Sequence, residues 1–496
     1  LGGSVASAAV NLTQPMATTL PYLSQFGGVA RAAKALMGAA KDMATRGFKY
    51  DAKLAEALKR AEDKGTVSPQ EIHYLMGQAR GQGHLRAGGD TKLSVAQAMA
   101  ANAWSRSKLA WGQMFGAAEQ VNRRMTFIAA FRLAEQQGMA NPYAFATKAV
   151  DETQFVQNKA NKMEWGRSTL GGTLMTFKSY SIAYLELMGR MWNAGEPGSA
   201  ERKAGRKAVL LAAAVMMLLG GAGGLPFMQD AEDVATALGK MLGYNWDAKQ
   251  ARQELLQTVF GKEFADFADK GLSGLPGVPI DVSGRLGMGN LIPGTGLLQP
   301  KTDYSRDYAE LLGPAGDFAG RVVEGGKQAL AGIVTGDVGK LVGGAMVVAP
   351  TAVRNLAKGY DMASTGMYRD TKGRRVMATT GGEAFAKAMG FQPASVAADS
   401  EATSFKQRSM AFYTQTSADI KAQWAEALFT KDEAALQRVR ERLAAWNRDN
   451  PDQRIVVKMP DVWKRVREMS KDRAQRIADT APKALRQRMR EELRPA

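Results

Sequence analysis

The residue types that catalysis requires are few in this chain, and they are poorly assembled. There are two histidines, His73 and His84, and no cysteine. Both histidines lie in a polar stretch without an HExxH pair or a thiolate partner, so the sequence predicts no metal site. Lack of cysteine also excludes disulfides and suits a protein that works in both reducing and oxidising compartments. The run Gly336-Asp337-Val338-Gly339-Lys340 has part of the composition of a phosphate loop. It lacks the first glycine at the required distance, and Leu341 stands where a Ser or Thr must meet magnesium. Gly284–Gly289 (GRLGMG) has glycine spacing but no preceding strand, so no dinucleotide cradle is predicted. No cofactor is expected.

Glu119, in Glu119-Gln120-Val121-Asn122-Arg123-Arg124, is the residue best suited to general-acid work. Glycosidic cleavage needs a partly dry pocket and a second carboxylate or an activated water, and nothing nearby supplies that second group specifically. The spacing favours structure instead. Arg123 is at i+4 and can pair with Glu119 on one helix face, which leaves Asn122 free to bond across to another helix. The chain is therefore expected to hold no active site of its own. It starts at Leu1 without a basic n-region, which suggests a piece of a longer polypeptide with any enzymatic domain upstream.

The elements that would position these residues are almost all helical. Alanine, methionine (26) and glycine (53) are abundant, and alternating β-branched runs are scarce. An all-α, extended multi-helix architecture is predicted, with Gly/Pro-rich irregular segments and little or no sheet. Asp51–Asp63 spaces Leu54 and Leu58 at i, i+4 and closes at Gly65, and Ser68-Pro69-Gln70-Glu71 opens another helix. Leu93–Gln137 and Gly172–Trp192 are predicted as long helices, and Asp230–Leu242 and Asp247–Gly261 as short amphipathic ones. Gly271–Pro300 cannot be a regular helix, because Gly and Pro interrupt every turn. Helix returns over Val322–Lys358, and Ser404–Asn447 reads as two helices. Four regions follow: 1–200 helical, 201–300 with an apolar helix and a Gly/Pro-rich loop, 301–400 Gly-rich helical, and 401–496 basic helical.

The uncharged stretch Ala208–Met228 follows the basic residues Lys203, Arg206 and Lys207. It just reaches the length at which an apolar helix spans a bilayer, roughly 18 residues. Val209, Leu210, Leu211, Val215, Met216, Met217, Leu218 and Leu219 form its apolar half, while Gly220, Gly221, Gly223, Gly224 and Pro226 break the rest. It reads as a buried helix of about three turns, its membrane contact conditional, followed by a glycine hinge. The chain carries 66 Lys and Arg against 48 acids, a net charge of +18, so an acidic partner is expected: DNA, an anionic lipid surface or an acidic protein. Its basic end includes Lys464, Arg465, Arg467, Arg486, Arg488 and Arg490, positions suited to DNA or partner contact.

Five segments carry a resemblance to a known family. They are Asn11–Gly27 (NLTQPMATTLPYLSQFG), Glu119–Ala134 (EQVNRRMTFIAAFRLA), Asp151–Tyr180, Gly224–Phe227 (GLPF) and Ile280–Pro293 (IDVSGRLGMGNLIP), with Asn355 and Gly390-Phe391-Gln392-Pro393 extending it. In this order they resemble the C-terminal region of giant internal virion proteins of short-tailed phages, the PLxRFG-type or large polyvalent proteins. Asp281, Ser283, Arg285, Gly287 and Pro293 mark the most specific segment. Pro21–Gly27 departs from the named motif, with Gln25 where arginine is typical. The resemblance implies a structural DNA-ejection protein stored in the capsid near the portal that later contributes to a conduit across the host envelope. It implies a homo-oligomer, ring-shaped, beside the portal and other internal virion proteins. It also implies non-specific contact with double-stranded DNA and conditional contact with the host membrane. The rival readings are a peptidoglycan-lytic enzyme acting through Glu119 and a scaffold permanently anchored through Ala208–Met228.

Overall fold

The computed structural model describes residues 5–45, 48–68, 116–155, 179–286, 288–292, 295–299, 313–349, 351–370, 373–471, 475, 479, 482 and 485–488. It is all-α, 77% helical with 3% strand. Strand is confined to two short antiparallel pairings among the described residues, Ile280–Asp281 with Gln392–Pro393 and Met367–Arg369 with Arg375–Ala378. The chain divides into two compact units that do not follow the four contiguous regions read from composition. The larger comprises 1–230, 253–294 and 305–400, and the smaller 231–252, 295–304 and 401–496.

The core of the larger unit is built from alanine-rich helices closed by a few large side chains. Ala32, Leu36 and Ala39 of the Val29–Ala44 helix and Leu54, Ala57, Leu58 and Ala61 of the Ala52–Asp63 helix repeat at three and four residues, which places each set on one buried stripe. Asp51 caps the second helix, its carboxylate accepting from the Leu54 N–H at 2.9 Å. Phe127, Ile128 and Leu133 of the helix over 116–136, with Tyr184 and Leu187 of the Ser179–Trp192 helix, complete the core. The predicted openings of these last two helices, 93–115 and 172–178, lie outside the described residues. So do His73, His84 and Pro69-Gln70-Glu71.

The apolar stretch departs from expectation in length and exposure. The helix spans Ala200–Gly220, 21 residues, beginning at the Ser199 cap and carrying the charged turn with it. Gly205, Ala208, Ala212, Val215, Met216 and Leu219 form its buried stripe. Val209 and Leu211 are partly buried, whereas Leu210 (64%), Met217 (40%) and Leu218 (41%) are exposed. It is thus one-sided, and its two faces share similar aliphatic residues, so the sequence alone shows no polar side. Among the described residues no helix is long and apolar enough to cross a membrane.

The smaller unit is centred on the Glu433–Asp449 helix and the part of the Ala394–Thr430 helix from Glu401 onward. Ile420, Val439, Trp446 and Ile455 are its buried centre, with Phe412, Tyr413, Trp424 and Leu443 around them. The Trp446 indole donates to the Gln453 carbonyl at 2.8 Å, which satisfies its only polar atom inside that core.

Candidate functional site

The structure pairs Glu119 with Arg123. Its Oε1 accepts from Arg123 Nη2 at 2.8 Å and from Nε at 3.1 Å, with Arg123 only 8% exposed. Asn122, fully buried, donates to the Asn11 carbonyl at 2.7 Å and so ties the 116–136 helix to the start of the chain. The carboxylate faces the Arg123 guanidinium on its own helix. A zymogram is expected to show no clearing with the parent protein or with Glu119→Gln. The variant should instead lose about 2 kcal/mol of stability, because Arg123 is left buried without its partner.

The family-like segments converge. Thr19 Oγ1 lies 2.8 Å from Thr126 Oγ1 and 3.3 Å from Thr153 Oγ1, and Gln154 Nε2 donates to Thr126 Oγ1 at 3.0 Å. All four residues are buried, and they come from the first three segments. The Thr153 hydroxyl gives its hydrogen to the Ala149 carbonyl at 2.7 Å, so toward Thr19 it can only accept. Thr19 is placed by a π-helical turn, Pro15–Thr19, closed by the Leu20 N–H on the Pro15 carbonyl. Pro15 and Pro21 explain that turn: neither has an N–H for the regular ladder, and the Pro21 ring excludes the carbonyl four residues before it.

A second convergence joins the later segments. The Phe227 N–H donates to the Met288 carbonyl at 3.3 Å and the Asp230 N–H to the Gly289 carbonyl at 3.1 Å. Asp230 is 2% exposed, and its Oδ2 accepts from the N–H groups of Leu291 (2.7 Å) and Ile292 (3.2 Å). Asp281 accepts from the Ser283 N–H at 2.9 Å and its hydroxyl at 2.6 Å, and Arg285 donates to the Gly390 carbonyl. Ile280 and Asp281 pair with Pro393 and Gln392, joining this segment to GFQP. Between the two convergences runs the Ala200–Gly220 helix, which packs on both Leu20–Gly27 and Ser283–Leu286. Gly287 and Pro293 lie outside the described residues.

Two of the glycines read as hinges, Gly221 and Gly224, are points of close backbone approach in this structure. A Cβ on Gly221 would stand 2.2 Å from the Asp269 carbonyl, and one on Gly224 would stand 2.7 Å from the Met216 carbonyl. Gly220 closes the helix buried, Gly223 is exposed in the short turn that follows, and Pro226 is half-buried. Of the basic residues, Lys464, Arg465 and Arg467 are exposed on the Met459–Met469 helix, where Arg465 donates to the Ala418 carbonyl at 3.0 Å. Arg488 is exposed and Arg486 half-buried, and Arg490 lies outside the described residues. No group of His, Cys, Asp or Glu side chains among the described residues could hold a metal ion.

No protein-family model, curated protein or solved structure matches the chain.

One concave feature stands apart from these packing contacts, wholly within the smaller unit. It is a cleft of about 670 Å³ whose walls are two helix faces at i, i+3, i+4, i+7: Phe412, Gln415, Thr416 and Asp419, and Arg442, Ala445, Trp446 and Asp449. The Lys240–Gly243 turn and Leu298 close it. Lys240 is 7% exposed, its Nζ donating to Gln299 Oε1 at 3.2 Å and lying 5.8 Å from the Phe412 ring centroid. Gln299 is held in that orientation because its Nε2 donates to the Asp233 carbonyl at 2.6 Å. Burial, with Arg408 adding repulsion, pushes the Lys240 amine down to about 8, against the weaker pull of Asp247 and Asp233. A polar clasp sets the turn. Asn450 Oδ1 accepts from the Asn245 N–H at 3.0 Å, Asn450 Nδ2 donates to the Gly243 carbonyl at 3.2 Å, and Asn245 Nδ2 donates to Ser409 Oγ at 3.1 Å. Sequence reasoning missed Lys240. The available signal was its position four residues after Thr236, on the same buried face of the Met228–Met241 helix.

Proposed function

We propose that this chain is a structural, non-enzymatic protein of a DNA-ejection apparatus of the short-tailed-phage type. In this reading it is stored in the particle near the portal as a ring-shaped homo-oligomer beside other internal proteins. It meets double-stranded DNA through non-specific basic contacts and moves to the host envelope on ejection. One observation carries the reading: the five segments that resemble internal virion proteins meet in two sets of polar contacts inside one unit, the first three around Thr19 and Thr126 and the later two through Phe227 and Met288, as the defining segments of a common architecture do. They are used for packing, which fits a structural role, and Glu119, the residue of the lytic alternative, is engaged in an ion pair with Arg123.

The permanently anchored alternative loses its span, since none of the described helices is long and apolar enough. Conditional membrane contact keeps two apolar surfaces: the outer stripe of Leu210, Met217 and Leu218, and a helical hairpin, Gly313–Thr335 with Val338–Val348. In that hairpin Gly325 and Gly344 face each other, so that a Cβ on Gly344 would stand 2.5 Å from the Gly325 carbonyl. Leu330, Ile333 and Val334 face out at 63–84% exposure. Small residues inside and aliphatic ones outside is the arrangement helices adopt where lipid, not water, surrounds them. Hinge motion at Gly220–Gly224 would require parting the Gly221–Asp269 approach. Composition of purified particles tests the reading. The chain should be present in full particles and missing from those emptied by their receptor, and its retention in emptied shells, or its absence from full ones, would overturn it.

A further inference from the structure

The cleft of the smaller unit takes no part in the proposed role, and one of its features asks for a ligand. Buried ammonium groups are ordinarily paired with an anion, because desolvating a charge costs several kcal/mol without one. Lys240 is more than nine-tenths buried, yet its polar partner is a neutral amide oxygen, and among the described residues no carboxylate lies within ion-pair distance. Asp233 and Asp247 act on it only at longer range, and Arg408, the other charge facing it, is a cation bound to Asp247 at 2.8 Å. Lys240 lines an open cleft whose volume suits a small organic molecule. Its lip is apolar: Met241, Leu242 and Leu298 are 53–83% exposed there. A second cation, Arg442, is steadied by Gln423 Oε1 at 3.0 Å. Asp419 and Asp449 share the lining, so the cleft is not a general anion trap. Two carboxylates disfavour polyphosphates and nucleic acid while leaving a single negative charge acceptable.

We infer that this cleft is a binding site for a small organic monoanion with an apolar body. Its oxyanion meets Lys240, and its hydrocarbon part lies against Phe412, Met241, Leu242 and Leu298. Lys240 supplies the counter-charge, Gln299 aims the amine, and the acids select against higher charge. Carboxylates and sulfonates share this chemistry.

Calorimetric titration of the full chain with 2-naphthoate, naphthalene-2-sulfonate and the uncharged 2-naphthol tests the assignment and separates the two oxyanion sources. One saturable site is expected for at least one of the anions, with 2-naphthol bound about tenfold or more weakly, the margin a charge-assisted hydrogen bond provides. Lys240→Met should erase that margin while the protein stays folded, and Arg442→Gln, at an exposed position, should reduce it. Affinity for the anion should also fall as pH rises from 7 to 9, with 2-naphthol binding unchanged. Equal binding of naphthoate, sulfonate and naphthol to the parent, or a margin that survives Lys240→Met, would overturn it. If Lys240→Met fails to fold, the pH profile together with Arg442→Gln decides: a flat profile and an unchanged margin refute the site. These outcomes are independent of whether the chain is found in particles.

Discussion

Gly221→Ala is expected to be the most damaging small substitution in the larger unit, costing roughly 3–5 kcal/mol in urea unfolding monitored by circular dichroism. Gly221 takes φ 65° and ψ −159°, a combination essentially confined to glycine. A side chain there meets backbone, because its Cβ would stand 2.2 Å from the Asp269 carbonyl and 2.4 Å from the Lys270 nitrogen. Neither neighbour can rotate away. Gly271 answers it from the other side, with φ 59° and a Cβ position 2.5 Å from the Leu218 carbonyl. The contact locks the end of the Ala200–Gly220 helix onto the end of the Lys262–Lys270 helix. Gly326→Ala is the control. That glycine is exposed in mid-helix with open space around its Cβ position, so the change should stabilise by about 0.5–1 kcal/mol. Equal effects of the two substitutions would show that helix propensity, not close approach, governs both.

Lys240→Met should stabilise the smaller unit near neutral pH and lose that advantage in alkali. The amine titrates at about 8 in the folded protein against 10.5 for the free side chain. Between those values the unfolded chain binds the proton and the folded one does not, so the parent's stability rises with pH across that window. Below about pH 8 the full penalty of burying the charge is present. The depression corresponds to an upper bound of about 3 kcal/mol, from which the unsatisfied Gln299 oxygen in the variant subtracts about 1. A net gain of about 1–2 kcal/mol at pH 7, shrinking toward zero or below by pH 10.5, is expected in denaturant titrations at each pH. Lys387 in the larger unit is lowered to about 8 in the same sense, chiefly by burial, but it is common to both proteins and cancels in the difference. A gain that does not vary with pH would assign the effect to packing.

Legibility from sequence followed the range of the interaction. Helix positions rest on spacings of three and four residues, so the Asp51–Asp63 helix and the pairing of Glu119 with Arg123 were readable, and the structure has a helix over Ala52–Asp63 and that ion pair. The Gly271–Pro300 stretch was readable as irregular, and it contains only short pieces such as Ser283–Leu286 and Thr295–Leu298. What the sequence determined by itself was therefore an all-α chain with a basic excess.

Contacts over long separations were not readable, because no local pattern encodes which backbone will meet which. Asn11 with Asn122, Asp230 with Leu291 and Gly221 with Asp269 are of this kind, and they make scattered segments into one architecture. Nor could sequence decide the two faces of Ala200–Gly220, since alanine and leucine populate both and only neighbouring helices choose which is covered. Lys240 is the extreme case. In one dimension it is a helix-ending lysine suited to the dipole, and only the approach of Gln299, Phe412 and the Glu433–Asp449 helix turns it into a buried residue lining a cleft.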